Sequence, residues 1–132
     1  MWTAKQRNAY MRNYVHTHPE FELRTKTRGA ANRLRLKKEV LTRYGKRQKL
    51  QCCWRGCTIV DVDMLTLDHI ADNGADHRSE ITKGKYRGGG GINFYGWVKR
   101  HGFPVGFQTL CHNHQWKKEI LRRRAAVGKM DV

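Results

Sequence analysis

Leu65, Thr66, Leu67 and Asp68 alternate apolar and polar side chains, the period of two that a strand with one buried face requires. Residues 107–110 read as a second short strand that would pair antiparallel with residues 65–68. Helical spacing marks four other stretches. Within residues 2–16, Tyr10 and Tyr14 are one turn apart, as are Arg7 and Met11, and His18-Pro19 ends that helix because a residue before proline is pushed out of the α region. Residues 24–28 look basic and irregular, with Gly29 as a break. Leu34, Leu41 and Tyr44, with Val40 beside them, define one side of a second helix over residues 30–44, and Gly45 stops it. Phe94, Trp97 and Val98 predict a short helix over residues 93–101 that ends at Gly102. From His112 onward, Trp116, Ile120 and Val127 form an apolar stripe on a last helix, closed by Gly128. Residues 71–91 are a polar connection containing Gly88, Gly89, Gly90 and Gly91. The expected class is α+β.

A chain of 132 residues makes one domain with an extension, and 39% hydrophobic residues imply a modest core. Cores of that size are often stapled by a metal. The charge of +16 exceeds what solubility needs and points to a polyanionic partner. It is unevenly spread. Residues 1–51 carry 14 Lys or Arg against 3 acidic residues, residues 52–110 carry 7 against 6, and residues 111–132 carry 6 against 2. A nearly neutral middle therefore lies between basic ends. The expected division is a basic, mainly helical DNA-binding extension over residues 1–48 and a zinc-stapled domain over residues 49–132. The charged N-terminus lacks the apolar stretch of a secretory signal, and no apolar run is long enough to span a membrane, so a cytoplasmic protein is expected. Thiols in that setting are more often metal ligands or free than disulfide-bonded.

Cys111 and His114 have Cys-x2-His spacing, which lets two side chains converge on a tetrahedral ion at a helix start. Cys53 and Cys57, with three residues between them, form the matching half, with Cys52 as the alternative to Cys53. The long interval between the halves excludes an ordinary zinc finger. The strand of residues 65–68 leads into Asp68-His69. A carboxylate holds Mg²⁺ through a hard oxygen, and a neutral imidazole takes a proton from water near neutral pH. Phosphodiester hydrolysis needs both acts.

In order along the chain stand Cys-x3-Cys, Leu65-Thr66-Leu67-Asp68-His69-Ile70, Asn73-Gly74-Ala75-Asp76-His77-Arg78, Phe94-Tyr95-Gly96-Trp97, Gly102-Phe103-Pro104, Gly106-Phe107-Gln108 and Leu110-Cys111-His112-Asn113-His114. Over residues 45–120 this series resembles the zinc-containing HNH endonucleases of bacteriophages. The resemblance implies a ββα-metal fold built around one catalytic divalent ion, Mg²⁺ or Mn²⁺, with a separate structural zinc. It implies Asp68 as a metal ligand, His69 as general base and Gln115 as the second metal ligand. The sequence departs from the family in the spacing of its first cysteine pair, in His114 where relatives carry Cys, and in Gln115 where they carry Asn or His. The expected substrate is double-stranded DNA, held by Arg33, Lys37 and Lys38 of the second helix and by Lys117 and Lys118 of the last. His77 and Arg78 would orient the scissile phosphate, assist the metal site or anchor their loop. A phage-encoded protein of this kind would act in the host cytoplasm. The alternative function is a non-catalytic zinc module that binds DNA or RNA.

Overall fold

The computed structural model of the chain describes residues 1–71 and 92–130. Among them are helices α1 (Ala4–Thr17) and α2 (Pro19–Arg43), strand β1 (Leu65–His69), helix α3 (Ile92–Arg100), strand β2 (Phe107–Cys111) and helix α4 (His112–Met130). The class is α+β, with β1 and β2 forming a two-stranded antiparallel sheet. No helix of the described residues is long and apolar enough to cross a membrane. The chain divides into two compact units, residues 1–35 and 36–132.

In the first unit, Thr3 caps α1: its hydroxyl accepts from the Gln6 amide while the Gln6 side chain accepts from the Thr3 amide. His18 ends α1, as expected before proline, and its carbonyl accepts from the amides of Phe21 and Glu22. Pro19 then occupies the first helical position of α2, where no donor is needed, and Glu20 and Glu22 in the first turn complement the helix dipole. The expected irregular stretch at residues 24–28 is instead helical, and Gly29 does not break α2. One glycine costs about 1 kcal/mol relative to alanine but leaves the backbone ladder unbroken. The turn before it is tied by the Lys26–Glu22 ion pair and by the Thr27 hydroxyl on the Leu23 carbonyl.

The second unit begins with the last turns of α2. Val40 and Leu41 are fully buried there, packed in one cluster with Leu65, Leu67, Phe94, Tyr95, Val98 and Leu110. Hydrogen bonds fix this end of α2 to β2. The Thr109 hydroxyl donates to the Leu41 carbonyl at 2.7 Å, and the Thr109 amide donates to the Tyr44 carbonyl at 3.0 Å. Gly45 terminates the helix by close approach: a Cβ there would lie 1.7 Å from the Lys49 carbonyl oxygen.

The expected strand pairing is present, with Leu65 opposite Cys111, Leu67 opposite Thr109 and Asp68 opposite Gln108. α3 ends as its sequence predicts. The Phe103 amide reaches the Val98 carbonyl and the Gly102 amide reaches that of Lys99, with Gly102 at φ 72°. α4 follows β2 without a connecting loop. Its expected apolar stripe stays at the surface, since Trp116 and Val127 are more than half exposed, and Gly128 lies inside the helix rather than closing it.

Gly45→Ala is expected to lower stability by about 2 kcal/mol or more, because its methyl group would meet backbone rather than a movable side chain. Gly128→Ala, with nothing within 4 Å of the new Cβ, should be neutral or stabilise by up to about 1 kcal/mol. Chemical denaturation of both variants measures the contrast.

Candidate metal centre and the cleft at the end of the first strand

Three segments meet where β2 passes into α4. Cys52 and Cys57 come from a turn after α2 in which the Cys57 amide donates to the Trp54 carbonyl and Gly56 takes φ 80°. Cys111 is the last residue of β2, and His114 lies in the first turn of α4. The ligand atoms of these four residues all lie within 4.8 Å of one another, with the three cysteines buried and His114 half-buried. Cys52 Sγ is 3.7 Å from His114 Nδ1, Cys57 Sγ is 4.0 Å from Cys111 Sγ, and Cys111 Sγ is 3.1 Å from His114 Nδ1. Zinc bonds of about 2.3 Å to sulfur and 2.0 Å to nitrogen place tetrahedral ligands about 3.5–3.8 Å apart, so the four side chains fit one zinc ion.

The surroundings of the four suit that ion. The Cys111 amide donates to Cys52 Sγ at 3.2 Å, the outer hydrogen bond that orients a metal thiolate. The indole of Trp54 stacks on the His114 ring, 4.8 Å away and nearly parallel, and fixes its plane. Burial pushes the Cys52 thiol up to about 11, against amide hydrogen bonds from Cys111 and Trp54. Burial opposes ionisation of Cys57 as well. There the Ile59 amide, the Cys52 and Cys111 thiols and the Lys46 charge outweigh it and hold the pKa below the ordinary value. A bound cation would stabilise thiolates that burial alone disfavours.

Of the two thiols that the sequence left open, Cys52 joins this group and Cys53 does not. Successive residues of an extended segment face opposite ways. The Cys53 amide donates to the Thr109 carbonyl and its thiol donates to the Tyr44 carbonyl at 3.2 Å, on the side of α2. The first pair is therefore Cys52-x4-Cys57.

Beside this centre, Asp68, His112, Gln115, Trp116, Lys118 and Glu119 line a cleft of about 420 Å³. It brings together Asp68 of β1 and Gln115 of α4, the two residues expected to hold a catalytic cation. A carboxylate and an amide oxygen in a polar cleft are hard donors of the kind Mg²⁺ accepts together with waters. Asp68 is only 7% exposed, and its Oδ2 accepts from Lys118 Nζ at 2.8 Å and from Gln108 Nε2 at 3.0 Å. His69 has a different neighbourhood. Its ring stacks on Phe94 at 5.1 Å and meets Phe107 edge-on at 4.9 Å, and it is not among the cleft's lining residues.

The spacing assigns Trp116 only to an apolar stripe and gives His112 and Glu119 no role, although positions 112, 115, 116 and 119 share one helical face. Glu119 is held to about 2 by its hydrogen bonds from Arg122 and Arg123. Of the expected DNA contacts, Arg33, Lys38 and Lys117 are exposed and Lys37 is half-buried, while Lys118 is turned onto Asp68. His77 and Arg78 lie outside the described residues. No family model, curated protein or solved structure matches this chain.

Replacing Cys52 with Ser should remove the zinc and the cooperative thermal transition of the second unit, whereas Cys53→Ser should keep both. Elemental analysis of the purified variants checks this, with one zinc per chain expected for the unaltered protein. Equal zinc content in the two variants would contradict the assignment.

Proposed function

We propose that the protein is a metal-dependent DNA endonuclease of the HNH kind. One observation carries this reading: Asp68, at the end of β1, and Gln115, in the helix that follows β2 directly, line a single cleft beside four zinc-competent ligands. Strand, paired strand and helix occur in the order that the ββα-metal resemblance requires. The seven motifs quoted above stand in the same order in the sequence.

In this reading Asp68 and Gln115 would hold Mg²⁺ or Mn²⁺, which supplies positive charge to the phosphate and the leaving oxygen when bound. His69 takes a proton from water, and the oxygen so freed attacks phosphorus. The bond from phosphorus to the 3′ oxygen breaks, leaving 5′-phosphate and 3′-hydroxyl ends. His69 is the last residue of β1, and at a strand end both side chains can reach one phosphate group although they have different neighbours. Phe94 and Phe107 restrict the imidazole to one orientation. Cys52, Cys57, Cys111 and His114 would close a zinc ion with four protein ligands, leaving no open position for substrate, so it would act on the fold alone. Exposed Arg33, Lys38 and Lys117 would meet DNA phosphates. One active site per chain gives nicking.

A second reading, a zinc module that binds DNA or RNA without cutting, is favoured by the Asp68–Lys118 ion pair and by the burial of His69 to 8% exposure. Supercoiled plasmid separates the two. Nicking by the unaltered protein with Mg²⁺ or Mn²⁺, lost with EDTA and reduced at least about 100-fold in His69→Ala, is the expected result. Binding without cleavage, or equal cleavage by His69→Ala, would reject the nuclease mechanism. Binding should also weaken steeply with salt, as phosphate contacts release counterions.

A further inference from the structure

The ammonium of Lys118 is placed with unusual completeness for a surface-helix lysine. Its Nζ lies 2.8 Å from Asp68 Oδ2, 2.7 Å from the His69 carbonyl and 3.4 Å from the Ile70 carbonyl. These acceptors come from three consecutive residues at the end of β1, and an ammonium has three donors to give. The side chain is 19% exposed and that of Asp68 9%, so the pair is shielded from water and weakly screened. Gln108, opposite Asp68 in the strand pairing, donates to the same Oδ2. One carboxylate oxygen thus already carries a cation and a neutral donor, in the cleft that Gln115 also lines.

Other features of the molecule lead less far. The apolar groove along α2 lined by Phe21, Leu23, Arg24 and Ala31 has nothing to say what covers it. Cys53 is a single thiol already spent on a backbone carbonyl. The Lys118 contacts define a specific competition.

We propose that Lys118 is a built-in competitor for the divalent cation: the ammonium and the metal ion are alternative partners of Asp68, and metal binding requires Nζ to leave Oδ2. This rests on the reading of Asp68 as a metal ligand. A divalent ion and an ammonium sharing one carboxylate would lie about 4 Å apart and repel strongly in a partly desolvated cleft. Divalent affinity is therefore set by the cost of displacing Lys118, and it is low in the free protein. The displaced ammonium stays at the cleft mouth, where a phosphate of bound nucleic acid is its natural new partner. Lys118 so becomes a positioning residue that links phosphate contact to cation entry, and by thermodynamic reciprocity each raises affinity for the other.

The test uses Mn²⁺ alone, counted as free ion by electron paramagnetic resonance during titration of the zinc-loaded full chain. Lys118→Met should bind Mn²⁺ about tenfold more tightly than the unaltered protein, within the usual range of such couplings. Lys118→Arg, which keeps the charge, should stay within about threefold of it, and Asp68→Asn should lose the site. Equal or weaker binding by Lys118→Met overturns the competition while leaving Asp68 as a ligand. Absence of Mn²⁺ binding in every variant overturns both the competition and the reading of Asp68. Should Lys118→Met fail to fold, the unaltered protein labelled at lysine Nζ supplies the second measurement. Mg²⁺ should shift the Lys118 resonance saturably, and a resonance unmoved at saturation of the site rejects the proposal.

Discussion

The convergence of three buried thiols and one imidazole within 4.8 Å is the constraint on which the second unit depends. Cys52, Cys57 and Cys111 belong to the same buried cluster as Leu41, Leu65 and Leu110, so the metal centre is continuous with the hydrophobic core rather than appended to it. Beyond the two strands, the core has little regular backbone pairing to hold it. The outer edge of β2 is instead satisfied by Tyr44 and Cys53 through the two backbone groups of Thr109. The cysteine turn, β2 and the start of α4 are therefore held in one place by backbone hydrogen bonding, and a zinc ion on the four ligands would tie them further. A tetrahedral ion tolerates little variation in ligand distance, so zinc bound there would make the junction of β2 and α4 the rigid part of the fold.

That rigidity positions a second, electrostatic site. Because α4 starts at the residue after Cys111, the turn carrying His114 and Gln115 has a fixed orientation relative to β1. Lys118, one turn further on, then reaches the end of β1 and Asp68. The basic composition of the chain makes such a pairing economical, since a buried carboxylate needs a neutralising partner and lysine is abundant on α4. The pair also means that Asp68 already has a cationic partner, which any metal ion would have to replace. The two charged features of the cleft differ in kind. Glu119 is saturated by arginines of its own helix, whereas Asp68 is held by residues from β2 and α4.

Much of this was legible in the residues. The period-two alternation at Leu65 gave β1, Gly102 gave the end of α3, and the Cys-x2-His spacing gave half of the metal centre. Local signals of this sort succeed because they describe interactions between neighbours in the chain. Most of the expectations that the structure altered depended on distant partners, and Gly29 is the local exception. Gly29 looked like a break because its propensity is poor, yet the flanking turns carry the helix through it. Trp116, Ile120 and Val127 form an apolar stripe by spacing, but α4 leaves Trp116 and Val127 exposed. Cys52 and Cys53 are indistinguishable by spacing, since both fall within a turn's reach of Cys57.

By itself, then, the sequence determined the class of fold, the two paired strands, the helix that follows them, and the chemical types gathered near them: soft sulfur and nitrogen ligands, a carboxylate, an imidazole and a surplus of cations. The tertiary structure alone decided which thiol faces the metal centre, that Asp68 and Gln115 share a cleft, and that Lys118 is turned onto Asp68 instead of outward. The reason is physical. Residue type and period fix what a side chain can do and which face of its element it occupies. Which partner it meets depends on contacts across some 40 to 60 residues of chain, such as Gln108 to Asp68 and Cys52 to His114, and these exist only once the strands and α4 have packed.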